Sequence, residues 1–131
     1  FCQHIYNHYL YTNDVEFLKE TGYPILKKCT QFILDLLVED KDGYLILAPS
    51  TSPENEFLID GVAMSLSETT TMTMTIVKEV LGNTIKAAEI LGESDEDIEK
   101  AKEIMGLWRK LTKFILVMVY ANTAVVFVIL Y

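Results

Sequence analysis

The chain has 131 residues, 50% of them hydrophobic, and a formal net charge of -8. That length suits one domain with a real core and is short for two, and the composition is globular rather than disordered. An acidic chain repels phosphate backbones, which argues against a nucleic-acid partner, and its acids are spread along the chain rather than gathered in a tail.

Gln3 to Tyr11 reads as a short, aromatic-rich helix that Thr12-Asn13-Asp14 breaks. Asn13 and Glu16 have the spacing of a capping box, and Asp14 is the competing cap. A helix follows with Phe17 and Leu18 as apolar contacts, and Gly22-Tyr23-Pro24 is expected to interrupt it, with Pro24 opening the next. Ile25, Leu26, Cys29, Phe32, Ile33, Leu36 and Leu37 then recur at helical spacing as one apolar stripe. Glu39 to Gly43 is a charged turn, and Tyr44-Leu45-Ile46-Leu47 is a short extended segment. Ala48 to Asn55 carries two prolines and three hydroxyl residues and reads as a loop. Phe57 to Ser67 is irregular, with Asp60-Gly61 as a turn. A long helix runs from near Thr69 to Leu91, burying Ile76, Val77, Val80, Leu81, Ile85, Ala88 and Leu91, and Gly92 ends it. Ser94 with Asp97 caps a last helix that buries Ile98, Ala101, Met105 and Trp108. Short connections make consecutive helices antiparallel. The expected class is all-α with a minor extended segment at 44–47.

Residues 114–131 read FILVMVYANTAVVFVILY, after Arg109, Lys110 and Lys113. Three readings compete. The segment just reaches the lower limit of a membrane-spanning helix, with the basic residues on the cytoplasmic side. Its Val, Ile, Phe and Tyr equally suit a buried helix or strand. An altered reading frame is the third source of such a tail. The chain opens at Phe1 without a methionine or a visible signal peptide, and its first residues already look helical, so the natural N-terminus is expected upstream. The compartment is left open.

Few side chains suggest chemistry. Cys2 and Cys29 form no CxxC and no zinc spacing. Cys29 falls on the apolar stripe and reads as a small buried hydrophobe. A Cys2–Cys29 disulfide is allowed, but spacing does not establish it. His4 and His8 stand four apart on one helix face, yet no HExxH glutamate or third ligand accompanies them, so neither a metal nor another cofactor is expected. Tyr6, Tyr9 and Tyr11 suit packing or sugar stacking. Met64, Met72, Met74 and Met105 are core filler rather than a cofactor box. The loop Pro49-Ser50-Thr51-Ser52-Pro53-Glu54-Asn55 is the most unusual feature. Two prolines stiffen it, and hydroxyls and an amide surround one carboxylate. Glu54 is either a solvated loop acid or, held at a pocket edge with a raised pKa, a proton donor to a leaving oxygen.

The string Ala48-Pro49-Ser50-Thr51-Ser52-Pro53-Glu54-Asn55 closely resembles the acid-bearing loop of glycoside hydrolase family 95. Gln3-His4-Ile5-Tyr6-Asn7-His8-Tyr9, Tyr11-Thr12-Asn13-Asp14 and Glu16-Phe17-Leu18 resemble the segment that precedes that loop. Tyr23-Pro24-Ile25-Leu26-Lys27, Phe32 to Asp40 and Asn83 to Gly92 continue in register, so the resemblance runs from about Phe1 to about Lys110. It implies a fragment of an (α/α)6 barrel built from antiparallel helical hairpins, with a partial catalytic domain over 1–113 and the apolar tail over 114–131. It implies inverting hydrolysis of terminal α-L-fucosides, or α-L-galactosides, on an oligosaccharide or glycan, with Glu54 as general acid and His4 and Asn55 contacting the sugar. Family members are often secreted or periplasmic. Inversion needs a second group to activate water. The family draws it from an asparagine pair upstream and an aspartate downstream, so this polypeptide by itself is expected to be inactive. Two departures stand out. Thr73 occupies a position that usually carries an aspartate, which bears on substrate binding. After Lys110 the apolar tail replaces a glycine- and glutamine-containing pocket segment, a break that favours an altered frame. The competing function is a non-catalytic helical module tethered to a membrane through 114–131.

Overall fold

The computed structural model describes residues 1–53, 56–108, 114–120 and 123–129. It divides into two units, Phe1–Asp35 with Val77–Trp108, and Leu36–Ile76 with Arg109–Tyr131.

The first unit is helical. Helix α1 spans Cys2–Thr12 and stops at Asn13, whose φ of 53° is left-handed and whose N–H donates to the Tyr9 carbonyl. Asparagine tolerates that conformation better than most residues, so Asn13 ends α1. Asp14 is the cap of α2 (Val15–Phe17), and its side chain accepts from the Phe17 N–H at 2.9 Å. The expected interruption at Gly22-Tyr23-Pro24 is absent. A π-turn over Leu18–Gly22 runs directly into α3, Tyr23–Leu36. Proline lacks a donor and its ring crowds the preceding turn's carbonyl, and a widened turn just before it lets the helix pass through. Gly22 permits a close approach there. A Cβ on it would lie 3.3 Å from Leu18 Cδ1 and 3.4 Å from Ile5 Cγ2.

On α3 the buried residues are Tyr23, Leu26, Thr30, Ile33 and Leu34. Ile25, Phe32 and Leu36, expected inside, are exposed. The apolar stripe is wider than the face that this unit covers, and Thr30, a polar residue, sits at its centre. Helix α4 spans Thr71–Leu91. From Val77 onward it buries Val77, Val80, Leu81, Thr84, Ala87 and Ala88, while Ile76 is exposed and Ile85 and Leu91 are half-buried. It ends as Gly92 anticipates. Gly92 has φ 70°, its N–H reaches the Glu89 carbonyl, and the Glu93 N–H reaches the Ala88 carbonyl at 2.9 Å, the paired bonds of a Schellman stop. Helix α5 spans Glu96–Gly106 and buries Ile98, Ala101 and Ile104. Met105 is half-buried and Trp108 is buried. The cap of α5 is Asp95, which accepts from the Ile98 N–H at 3.1 Å. Ser94, the expected cap, instead bonds the Glu99 carboxylate.

Tyr6, Leu18, Tyr23, Leu26, Ala87, Ala88 and Ile98 form one cluster, with Cys2, Tyr9 and Leu91 against it. Burying each large aliphatic side chain contributes about 1.5–3 kcal/mol, so this cluster holds α1, α3, α4 and α5 together. Inside the unit, the Thr30 hydroxyl donates to Thr84 Oγ1 at 2.9 Å, and Thr84 donates to the Val80 carbonyl at 2.9 Å. The pair is fully buried and fully satisfied. Cys2 and Cys29 are free thiols. Half-burial pushes the Cys29 thiol up to about 11, and its hydrogen bond with Cys2 adds to the shift. At neutral pH it is protonated and packs as the small hydrophobe that its position suggests.

The second unit holds more extended structure than the sequence indicates. Strand β1 (Val38–Glu39) pairs with β2 (Leu45–Ile46) across a turn in which Asp40 Oδ1 accepts from the N–H groups of Asp42 and Tyr44, both at 2.9 Å. Strand β3 (Ser50–Thr51) lies inside the stretch read as loop and pairs with β6 (Leu66–Ser67). Strands β4 (Phe57–Ile59) and β5 (Val62–Met64) form a hairpin over 57–64, which was expected to be irregular. Its turn, Asp60-Gly61, has φ of 51° and 80°, the double positive φ that a tight two-residue hairpin needs. Leu58, Ile59, Val62 and Leu66 are more than half exposed.

The tail forms strands β7 (Phe114–Tyr120) and β8 (Thr123–Ile129), antiparallel from Phe114 opposite Ile129 to Tyr120 opposite Thr123. Of the readings of this stretch, the strand is therefore the one its described residues adopt and the spanning helix is corrected, in keeping with its β-branched and aromatic residues. Among the described residues, no helix is long and apolar enough to cross a membrane. Among the described residues the chain is mostly helical, and the strands there occur as two-stranded ribbons.

Candidate functional site

The Ala48–Pro53 stretch is anchored by hydroxyl groups. Ser50 is 5% exposed, and its Oγ lies 2.8 Å from Thr70 Oγ1 and 3.0 Å from Thr73 Oγ1. Thr70 Oγ1 and Thr73 Oγ1 are 2.9 Å apart, closing a triangle. A hydroxyl has one proton and two lone pairs, and Thr73 Oγ1 uses both lone pairs, accepting from Ser50 Oγ and from Thr70 Oγ1. The Thr70 N–H also donates to Ser50 Oγ at 3.3 Å, and Thr70 Oγ1 lies 3.2 Å from the Thr51 carbonyl.

One residue earlier, Thr69 clamps Leu47. The Thr69 N–H donates to the Leu47 carbonyl at 2.8 Å, and the Leu47 N–H donates to Thr69 Oγ1 at 3.3 Å. Thr69 is 1% exposed with φ 51°. A β-branched residue is rarely left-handed, and the two bonds to Leu47 offset that strain. The strand pairing of Ser50 with Ser67 and Thr51 with Leu66 completes the anchor. The Ala48–Pro49 peptide is cis.

Beside this anchor lies an open groove of about 680 Å³ whose lining includes Pro49, Phe57, Ile59, Leu66, Ser67 and Glu68. The walls are chiefly apolar, and Glu68 contributes a carboxylate.

Of the residues singled out from the sequence, Glu54 and Asn55 lie outside the described residues. His4 sits in the first turn of α1 with an exposed side chain, and its backbone N–H donates to the Phe1 carbonyl. The His8 ring packs on Phe17, with centroids 4.1 Å apart. Tyr6 is buried, its ring 6.0 Å from that of Tyr9, and burial raises its phenol pKa. It is a packing residue, whereas Tyr11 is exposed. Among the described residues, no three His, Cys, Asp or Glu side chains converge as metal ligands do.

The hydroxyl ring was not anticipated as a unit. Thr73 drew notice for the carboxylate it lacks and Ser50 only as part of the loop. The signal was present in the run Thr69-Thr70-Thr71-Met72-Thr73 at a helix start. Thr70 and Thr73 share a face at i, i+3 spacing, but nothing in the sequence reveals that Ser50 meets them.

The family model of the glycosyl hydrolase family 95 catalytic domain matches residues 1–114. Over 98 residues, 74% of this chain, the sequence is 47% identical to alpha-L-fucosidase 2 of Arabidopsis thaliana, of which it covers 12%. Over 55 residues, 40% of this chain, it is 47% identical to the probable alpha-fucosidase A of Aspergillus niger, of which it covers 7%. With the loop Ala48 to Asn55, its helices and all but its tail inside one family match, the chain belongs to glycoside hydrolase family 95, as part of that family's catalytic domain.

Proposed function

We propose that this chain is the acid-bearing segment of an inverting glycoside hydrolase that removes terminal α-L-fucose from oligosaccharides. The observation that carries the reading is the family match over 1–114, which includes the whole of the loop Ala48 to Asn55. Two relatives at 47% identity bear fucosidase names. Glu54 is the loop's one carboxylate and acts as general acid. It donates its proton to the glycosidic oxygen as the C–O bond breaks, and the aglycone leaves as a neutral alcohol. Asn55 beside it, and His4 on α1, contact the sugar. A water activated by a second group attacks the anomeric carbon from the opposite face, so the configuration inverts. That second group is assigned, by resemblance, to flanking segments of the catalytic domain. The helices α1 to α5 belong in this reading to an (α/α)6 barrel of helical hairpins, with 1–113 as the catalytic portion and 114–131 outside it.

The test is Glu54→Gln in the full-length protein, assayed on a fucosyl oligosaccharide. Positioned acid catalysis is worth about 10²–10⁴-fold. Turnover is expected to fall by at least about two orders of magnitude, with fucose binding largely kept, because glutamine preserves shape and loses only the proton. Near-normal turnover would remove Glu54 from the role.

A further inference from the structure

We propose that Ser50, Thr70 and Thr73 are positioning residues of the reaction, a largely buried hydroxyl ring that fixes the stem of the acid-bearing loop to the start of α4. The inference rests on the assignment of Glu54 as the acid, which follows Ser50 by four residues.

Three positions of the loop stem are tied to the start of α4 and the residues just before it: Leu47 to Thr69, Ser50 to Thr70 and Thr73, and Thr51 to Thr70. The contacts alternate between backbone and side chain, so the stem can neither slide along the helix start nor rotate away from it without breaking several bonds together. Ser50 is the hub. Its Oγ meets both threonine hydroxyls and the Thr70 N–H. Ser50 and Thr70 are nearly free of solvent and Thr73 is half-buried, so water does not readily replace a bond lost at Ser50 or Thr70. A plain loop needs no such anchor, since loops are ordinarily solvated and tolerant. A proton donor needs one, because transfer in the transition state depends on placement to within a fraction of an ångström.

A positioning role differs measurably from mere structural support. Loss of folded protein lowers turnover on every substrate alike. Loss of acid placement lowers it only where the leaving group needs a proton. The experiment compares the full-length protein with Thr73→Val on two substrates, a fucosyl oligosaccharide with an alcohol leaving group and a dinitrophenyl fucoside whose phenolate departs unprotonated. For Thr73→Val the expected result is a fall in kcat of about tenfold on the oligosaccharide with little change in KM, and less than about a twofold change on the dinitrophenyl fucoside. Thr73→Ser, which keeps the hydroxyl, is expected to restore most of the oligosaccharide rate. Should Thr73→Val fail to fold, Ser50→Ala is read in the same way. Equal loss on both substrates, or no loss on either, overturns the proposal. Glu54→Gln, run in parallel, separates the two claims. If Glu54→Gln shows the leaving-group selectivity and the ring variants do not, the ring proposal alone fails. If Glu54→Gln shows none, the acid assignment fails and the ring proposal falls with it.

Discussion

Buried threonines set the tone of this chain at the scale of single residues. Thr30 and Thr84 are both fully buried and bond each other. Leaving one buried polar group without its partner costs about 1–3 kcal/mol, whereas replacing both by apolar groups of the same shape is close to neutral. Thr84→Val strands the Thr30 hydroxyl and is expected to destabilise the protein by about 1–2 kcal/mol, while Thr30→Val with Thr84→Val costs less than the sum of the single changes. Urea denaturation of the four members of the cycle measures this, and strict additivity would mean that the bond carries no coupling. Residues of this kind are where the sequence was least legible. Thr30 is polar and sits on a stripe read from apolar spacing alone. Its burial follows from Thr84, a partner 54 positions away, and no local pattern reports such a pairing.

At the scale of elements, starts and stops govern the helices. Gly92 and the Asp60-Gly61 turn were legible because positive φ is a local demand that selects glycine, asparagine or aspartate. The cap of α5 was misplaced by one residue, since Ser94 and Asp95 are both good caps and only the fold chooses. The break at Pro24 was misjudged because a π-turn, which a helical period does not report, absorbs the proline. The two- and three-residue strands of the ribbons fall below the length at which alternation is recognisable.

Asp95 joins two of these elements. It caps α5 and forms an ion pair with Lys27 of α3. The Lys27 ammonium first, and the Ile98 N–H second, hold its carboxyl below the usual 3.8. A folded-state value depressed in this way gives stability that is present above about pH 3.8 and is lost as pH falls through the lower folded value. Asp95→Ala removes cap and charge and is expected to cost about 1 kcal/mol at neutral pH. Asp95→Asn keeps a capping oxygen and should lose only the partly exposed ion pair, about 0–1 kcal/mol. Both variants should have a shallower loss of stability in acid than the parent, and thermal melts between pH 3 and pH 7 read it. An unchanged acid limb would show that Asp95 does not report on folding.

For the molecule as a whole, the chain combines a well-packed helical unit with ribbons that expose apolar side chains. Leu58, Val62 and Leu66 on the ribbons, and Phe32 on α3, are each more than half exposed. Two-stranded ribbons are marginal alone, and exposed apolar groups gain stability when neighbours cover them. A six-hairpin barrel, proposed from the family, supplies such neighbours. The helical class and the family were legible because the loop Ala48 to Asn55 and its flanking helices carry motifs in a fixed order. The ribbons between α3 and α4 were not, and one of them pairs Ser50–Thr51 with Leu66–Ser67.

In the proposed function the chain serves an inverting hydrolase of α-L-fucosides. Proton NMR of the first sugar that the full-length protein releases from an α-L-fucoside, recorded before the free sugar equilibrates, tests it most directly. β-L-Fucose is expected to appear first, with the α form growing in later by mutarotation. Initial release of α-L-fucose would contradict inversion, and no release of fucose at all would contradict the assignment of substrate.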